Sequence, residues 1–284
     1  MIAITGATGQ LGRRVIESLL SKVAAQQIVA IVRSPEKTQD LVAQGVVVRQ
    51  GDYNDPDALE RALAGVERLL LISSSEVGQR AAQHQNVINA AKKNALRFIA
   101  YTSLLHADRS PLGLAEEHRQ TEAALKDSGL VYALLRNGWY SENYAASIPS
   151  ALKFNAFLGA AAEGRIASAS RQDYAEAATT VMTQAEPTEK VYELAGDSSY
   201  TLAEFAAEIA RQSGKPVAWQ NLPPQEFAAV LIEAGLPQEL AEMLADSDAG
   251  AAQGGLYDDS RTLSKLIGRA TTPWQETIAA ALKG

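Results

Sequence analysis

What most restricts the fold of this 284-residue chain is a rhythm: in its first half, short β-branched or apolar runs alternate with helix-like patterns. The runs are IAIT (2–5), IVAIVR (28–33), VVVRQ (46–50), LLLIS (69–73), RFIAYTS (97–103) and VYALLRN (131–137), and each reads as a strand. Between them lie patterns such as LGRRVIESLLSKV and PDALERALAGV, the second opened by Asp55 as N-cap with Pro56 at the first helical position. Strands separated by helices pair in parallel through right-handed crossovers. The expected fold class is therefore α/β, a doubly wound parallel sheet with helices on both faces.

Composition removes several classes of function. The hydrophobic fraction of 46% supplies a core large enough for one large domain, or a main domain with a smaller one built onto it. A net charge of -7 argues against the broad basic surface that nucleic acid requires. Without cysteine there is no disulfide, thiolate nucleophile or cysteine-ligated metal, so redox chemistry needs a borrowed cofactor. His84, His106 and His118 show no metal-binding spacing, and His84, His106, Asp258 and Asp259 read as loop or surface residues. No apolar run approaches a membrane span, and Met1 leads straight into a strand, so a cytoplasmic protein is expected.

Beyond about residue 140 the rhythm loosens. NYAASIPSALKF and ASRQDYAEAATTVMTQ each read as a helix, and VYELAG (191–196) as one further strand. TLAEFAAEIARQSG opens with Thr201 and Glu204 in capping-box spacing and stops at Gly214. Pro223, Pro224 and Pro237 punctuate shorter helices, and the glycine-rich stretch 248–259 reads as a flexible loop or an ordered lid.

The opening stretch MIAITGATGQLGRRV sets Gly6, Gly9 and Gly12 between a strand and an amphipathic helix. The first glycine permits a tight turn, the second lets backbone approach a pyrophosphate, and the third lets helix pack on strand. Gly6, Ala7, Thr8, Gly9, Gln10, Leu11 and Gly12 are thus the expected phosphate cradle, with amides and helix dipole facing the anion. Where an NAD-selective fold places a carboxylate, the second strand ends in Arg33, which suits a 2′-phosphate; Arg13, Arg14 and Lys37 add positive field. NADPH is the expected cofactor. Ser73, Ser74 and Ser75, at the carboxyl end of the fourth strand, are expected to face its sugar and nicotinamide. Residues 1–140 then form a Rossmann-type NADP-binding domain whose sheet the strand near 191–196 joins, and 141–284 a smaller, mainly helical lobe on the substrate side.

The segment RNGWYSENY (136–144) follows the sixth strand and is expected to cross the mouth of the cleft between lobes. Asn137, Gly138, Trp139 and Tyr140 are the candidates for holding nicotinamide and substrate: Asn137 hydrogen-bonds without a change of charge, and Trp139 or Tyr140 offers a flat wall to a planar ligand.

The spacing G-x-x-G-x-x-G resembles the glycine motif of extended and atypical short-chain dehydrogenases/reductases. None of the nine tyrosines has lysine four residues on, so the Tyr-x-x-x-Lys pair of the usual members is missing. The segments AITGATGQLG, VRSPEK, GDYNDPDAL, AYTSLLHAD, EEHRQTEAALKDSGLVYALLRNGWYSENY and YELAGDSSYTLAEFAAEIARQSGK resemble the NmrA-like atypical reductases over nearly the whole chain. That resemblance places Asp52 and Tyr53 beside the adenine. It also puts His118 where some plant relatives carry a lysine, leaving three roles open to it: donating a proton, orienting a ring substrate, or capping a helix beside Glu117 and Glu122. Asn137, Tyr140 and His118 are the candidate catalytic residues. The resemblance implies an NADPH-dependent reductase of a quinone or similar planar conjugated acceptor. The competing class is a non-catalytic NADP(H)-binding redox sensor that acts through a protein partner. The oligomeric state is not legible in the sequence.

Overall fold

The computed structural model describes residues 1–283. Its first half runs β1 (Ile2–Ile4), α1 (Gln10–Leu20), β2 (Ile28–Val32), α2 (Gln39–Ala43), β3 (Val47–Gln50), α3 (Pro56–Ala62), β4 (Arg68–Leu71), α4 (Arg80–Lys93), β5 (Phe98–Leu104), α5 (Ala115–Lys126) and β6 (Tyr132–Asn137). Then come α6 (Ser141–Ala145), α7 (Ile148–Phe154), β7 (Ala156–Gly159), α8 (Arg171–Met182), β8 (Lys190–Leu194), α9 (Leu202–Ser213), β9 (Ala218–Asn221), α10 (Pro224–Glu233), α11 (Gln238–Ala252), α12 (Thr262–Ile267) and α13 (Trp274–Ala281).

The main sheet has seven strands in the order β3-β2-β1-β4-β5-β6-β8. Each neighbouring pair from β3 to β6 is parallel, with Ala3 opposite Val29 on one side and Leu69 on the other. The chain enters at β1, winds outward to β3, and crosses back to β4. Strand order therefore reverses between β1 and β4, the point at which open α/β sheets take their ligands.

The apolar runs form strands because both sheet faces are covered. Residues of β1, β2 and β5 are buried throughout, and Val29, Leu69, Ile99 and Tyr101 join Leu59, Leu63, Val87 and Ile88 from α3, its C-terminal end and α4 in one core. Helix α1 buries Leu11, Val15, Ile16 and Leu19 along one stripe and packs against α8. Each such side chain contributes about 1.5–3 kcal/mol of burial. Near the carboxyl ends of β5 and β6, Arg136 donates to Glu122 at 2.8 and 2.7 Å, and Ser103 Oγ donates to the same carboxylate at 2.7 Å.

Both expected caps form. The Asp55 carboxylate accepts from Ala58 N–H at 2.9 Å, and Thr201 and Glu204 make the reciprocal capping box of α9, which stops at Gly214 with φ +68°. Three local expectations are corrected. NYAASIPSALKF is two helices, because Pro149 cannot donate into a continuing ladder and instead occupies the first turn of α7. The stretch 248–259 is not wholly a loop: α11 runs to Ala252, and Gly250 lies so close to Leu112 that an added Cβ would meet its Cδ1 at 2.5 Å. His84 is not a surface residue but lies fully buried in α4. A two-stranded parallel sheet of β7 and β9 was not foreseen.

The chain forms two compact units, each assembled from separated segments. The first comprises residues 1–104, 116–137 and 171–192; the second comprises 105–115, 138–170 and 193–284. Helix α8 thus belongs to the first unit although it lies far along the chain. Among the described residues no helix is long and apolar enough to cross a membrane, and no cluster of three His, Asp or Glu side chains could hold a metal.

Candidate functional site

The turn after β1 shows why three glycines stand there. Gly6 has φ +60°, a backbone conformation that side chains disfavour, and its carbonyl accepts from Gly9 N–H at 3.0 Å. A Cβ on Gly12 would lie 2.3 Å from Gly6 O and 2.8 Å from Ala7 Cα, both backbone atoms that cannot swing aside. Helix α1 is preceded by Gly9 at its N-cap, which offers no side-chain cap, and its first turn holds no acidic residue. Its first amides therefore have no acceptor within the helix and suit an anion.

This turn forms one wall of a cleft built wholly within the first unit. Thr5, Gly6, Thr8 and Gly9 line it, with Val32 and Arg33 at the end of β2, Asp52 and Tyr53 after β3, and Ser73 to Glu76 after β4. Gln83 of α4 completes it. Thr5 Oγ1 donates to Leu70 O at 3.3 Å and accepts from Ile72 N–H at 3.1 Å, tying β1 to β4 where strand order reverses. Tyr53 Oη donates to Ile72 O at 2.7 Å, and burial raises its phenol pKa above the usual value.

The serine loop is held from behind. Ser73 N–H donates to Thr102 Oγ1 at 2.8 Å, Ser74 N–H to His84 Nε2 at 2.9 Å, and Arg80 Nε to Ser74 O at 2.5 Å. Because His84 Nε2 accepts, its proton sits on Nδ1, which donates to Thr121 Oγ1 at 2.9 Å; Thr121 in turn donates to Glu117 O. The Glu117 carboxylate accepts from Gly78 and Arg80 amides at the start of α4. Burial, then the Arg80 charge, pushes His84 down to about 3, so it stays a neutral acceptor.

Arg33 stands 71% exposed at the rim, with Nη1 3.4 Å from Glu76 Oε1. Arg13, expected to add positive field, is instead committed to Asp40, whose carboxyl that hydrogen bond holds below its ordinary range. Arg14 reaches Gln172 at 3.5 Å.

Asn137 ends β6 at 5% exposed, and its buried Oδ1 has no hydrogen-bond partner, an acceptor awaiting a donor. Gly138, Trp139 and Tyr140 belong to the second unit, where Gly138 N–H donates to Leu194 O at 2.8 Å and Tyr140 bridges to Ala169. Trp139 is buried with its ring 6.4 Å from that of Tyr144. His118 lies buried in α5, its Nδ1 2.7 Å from Tyr101 Oη, and does not line the cleft. Burial, then the charge of Arg80 and the neighbouring His84, lowers its pKa to about 3. It carries no imidazolium proton at neutral pH, so proton donation loses its usual source.

Sequence reasoning passed over Glu76 and Gln83. Glu76 was legible as the residue completing S-S-S-E at the same strand end; Gln83 was not, because nothing local distinguishes it from the other glutamines of α4.

A family model described as NAD(P)H-binding matches residues 6–185. The chain is 66% identical to Quinone oxidoreductase 2 of Escherichia coli (strain K12), covering 98% of each. A solved structure of NADPH-dependent quinone oxidoreductase from Escherichia coli, complexed with NADPH, superposes with a TM-score of 0.97 at 65% identity over 99% of this chain and 100% of that one. The Citrobacter sp. triphenylmethane reductase complexed with NADP(H) gives a TM-score of 0.95 at 38% identity over 99% of this chain and 100% of the other.

Proposed function

The chain belongs to the NAD(P)H-binding family of NmrA-like reductases, and from that membership we propose that it is an NADPH-dependent oxidoreductase acting on a quinone or similar planar conjugated acceptor. The observation that carries the cofactor is the turn itself: only a glycine at position 12 lets α1 close on the backbone of Gly6 and Ala7, and the first turn of α1, with no side-chain cap, presents amides to the cleft side. The residues present fit the group. Amides of Thr8 and of residues 10 to 12 would receive the pyrophosphate, Arg33 the 2′-phosphate, and Ser73 to Ser75 the sugar and nicotinamide side.

NADPH supplies a hydride, that is, two electrons at once, when bound. The chain's own part is to bind, orient and exclude water. Thr102, His84 and Arg80 fix the backbone of the serine loop at Ser73 and Ser74. Asn137 offers a buried acceptor without a charge, suited to a carboxamide N–H. Trp139 and Tyr140 are our candidates for the flat wall against an aromatic acceptor. The missing Tyr-Lys pair suits such a substrate, because a reduced quinone is a stabilised phenolate that water protonates readily. A cytoplasmic location is part of the same proposal; the absence of cysteine suits a reducing compartment without establishing one.

The test is loss of NADPH absorbance in the presence of a simple benzoquinone. Turnover is expected. Tight NADPH binding without turnover would favour the redox-sensor reading instead.

A further inference from the structure

The cleft holds a carboxylate to which the NADPH reading gives no task. Glu76 lines the cleft together with Arg33, and its two oxygens serve different partners: Oε1 lies 3.4 Å from Arg33 Nη1, and Oε2 accepts from Gln83 Nε2 at 2.8 Å. Its amide donates to Ser74 Oγ at 3.1 Å. Gln83 is 1% exposed on α4, so the carboxylate is anchored from the buried side while its other oxygen faces the guanidinium.

This placement acts on the adenosine ribose in two opposite ways. A 2′-phosphate that takes Arg33 must compete with Glu76 for the guanidinium and accept a second negative charge nearby. An unphosphorylated ribose instead offers a hydroxyl, which a carboxylate accepts; NAD-selective folds assign that role to an acid at the end of the second strand. Here the base occupies the strand end and the acid arrives from the loop after β4. Nucleotide preference is then a difference between two side chains on one rim.

Resting on the NADPH reading above, we propose that Glu76 is a specificity-determining residue that opposes Arg33, holding down the preference for the phosphorylated dinucleotide and giving the unphosphorylated one a hydroxyl acceptor. The pair is exposed, so phosphate wins the guanidinium but at reduced affinity.

The experiment is calorimetric titration of the full chain with NADPH and with NADH, for wild type, Glu76→Gln, Glu76→Ala, Arg33→Ala and the Arg33→Ala/Glu76→Gln double variant. Gln retains an oxygen for Gln83 while removing the charge. Both Glu76 variants should raise the ratio of the NADH to the NADPH dissociation constant about three- to tenfold, the scale of removing one exposed charge. With Arg33 already absent, Glu76→Gln should change the ratio less, since the competition has gone. Should the Gln variant misfold, the Ala variant decides. An unchanged ratio overturns the proposal, and a falling one does so too, because Glu76 would then be aligning Arg33 for phosphate. Wild type that binds neither nucleotide sinks the underlying NADPH reading, a result distinct from failure of the Glu76 proposal.

Discussion

At the residue scale, the proposed preference for a phosphorylated nucleotide turns on Arg33. Arg33 is exposed and only loosely engaged, which leaves its planar set of donors available for a phosphate. A charge-assisted hydrogen bond is worth about 1.5–3 kcal/mol, so Arg33→Asp should weaken NADPH by about ten- to more than a hundredfold. NADH, which lacks the phosphate, should change by only a few fold. Paired titrations of the variant check this, and equal losses for both nucleotides would remove the phosphate contact assigned to Arg33. At the same scale, the burial of His84 is not visible in the sequence. A histidine in the polar-looking stretch QHQN carries no local sign of burial, and only Ser74 and Thr121, distant in sequence, make that burial tolerable by taking both ring nitrogens.

At the scale of elements, the strand-turn-helix unit from β1 to α1 is part of the fold and, in the proposal, the phosphate site. Gly12 lets the helix close on the turn, and the turn in turn aims the amides. Gly12→Ala would drive a methyl group into Gly6 O and Ala7 Cα, with no side chain to yield. A loss of about 1–3 kcal/mol in stability is expected, together with at least a tenfold loss of NADPH affinity. Denaturant unfolding and titration measure the two effects, and unaltered NADPH binding would show that the turn is not the cradle. Elements of this kind were legible because buried parallel strands are near-continuous apolar runs and caps have fixed spacing. Strands β7 and β9 were not, because they are four residues each, β9 is largely exposed, and neither AFLG nor AWQN alternates polar with apolar residues. The Arg33–Glu76 pair was equally hidden, since it joins two strand ends that only the parallel sheet brings together.

At the scale of the whole molecule, buried titratable groups set how stability follows pH. His84 and His118 have pKa values near 3 in the fold, against 6.5 ordinarily, because burial disfavours their charged forms. Between those values the unfolded chain takes up protons that the folded chain refuses. Their contribution is full above about pH 6.5 and is lost as pH falls, by up to about 1.4 kcal/mol per pH unit for each ring. Asp248 runs the other way: burial raises its carboxyl from 3.8 to about 6 while it accepts from Tyr144 Oη and Ala160 N–H. The folded state holds that proton longer, so this contribution weakens as pH rises from about 4 to 6. Two rings outweigh one carboxyl. The urea midpoint should therefore be lower at pH 5 than at pH 7, and His84→Gln should shrink the difference; a midpoint that rises on acidification would contradict the buried neutral histidines.

The proposed hydride transfer requires a dinucleotide seated in the turn after β1. A crystal structure of the protein soaked with NADPH tests that most directly. The expected result is a pyrophosphate on the amides of Thr8 and residues 10 to 12 and a 2′-phosphate within hydrogen-bond distance of Arg33. NADPH lodged elsewhere, or seated with its 2′-phosphate away from Arg33, would contradict it.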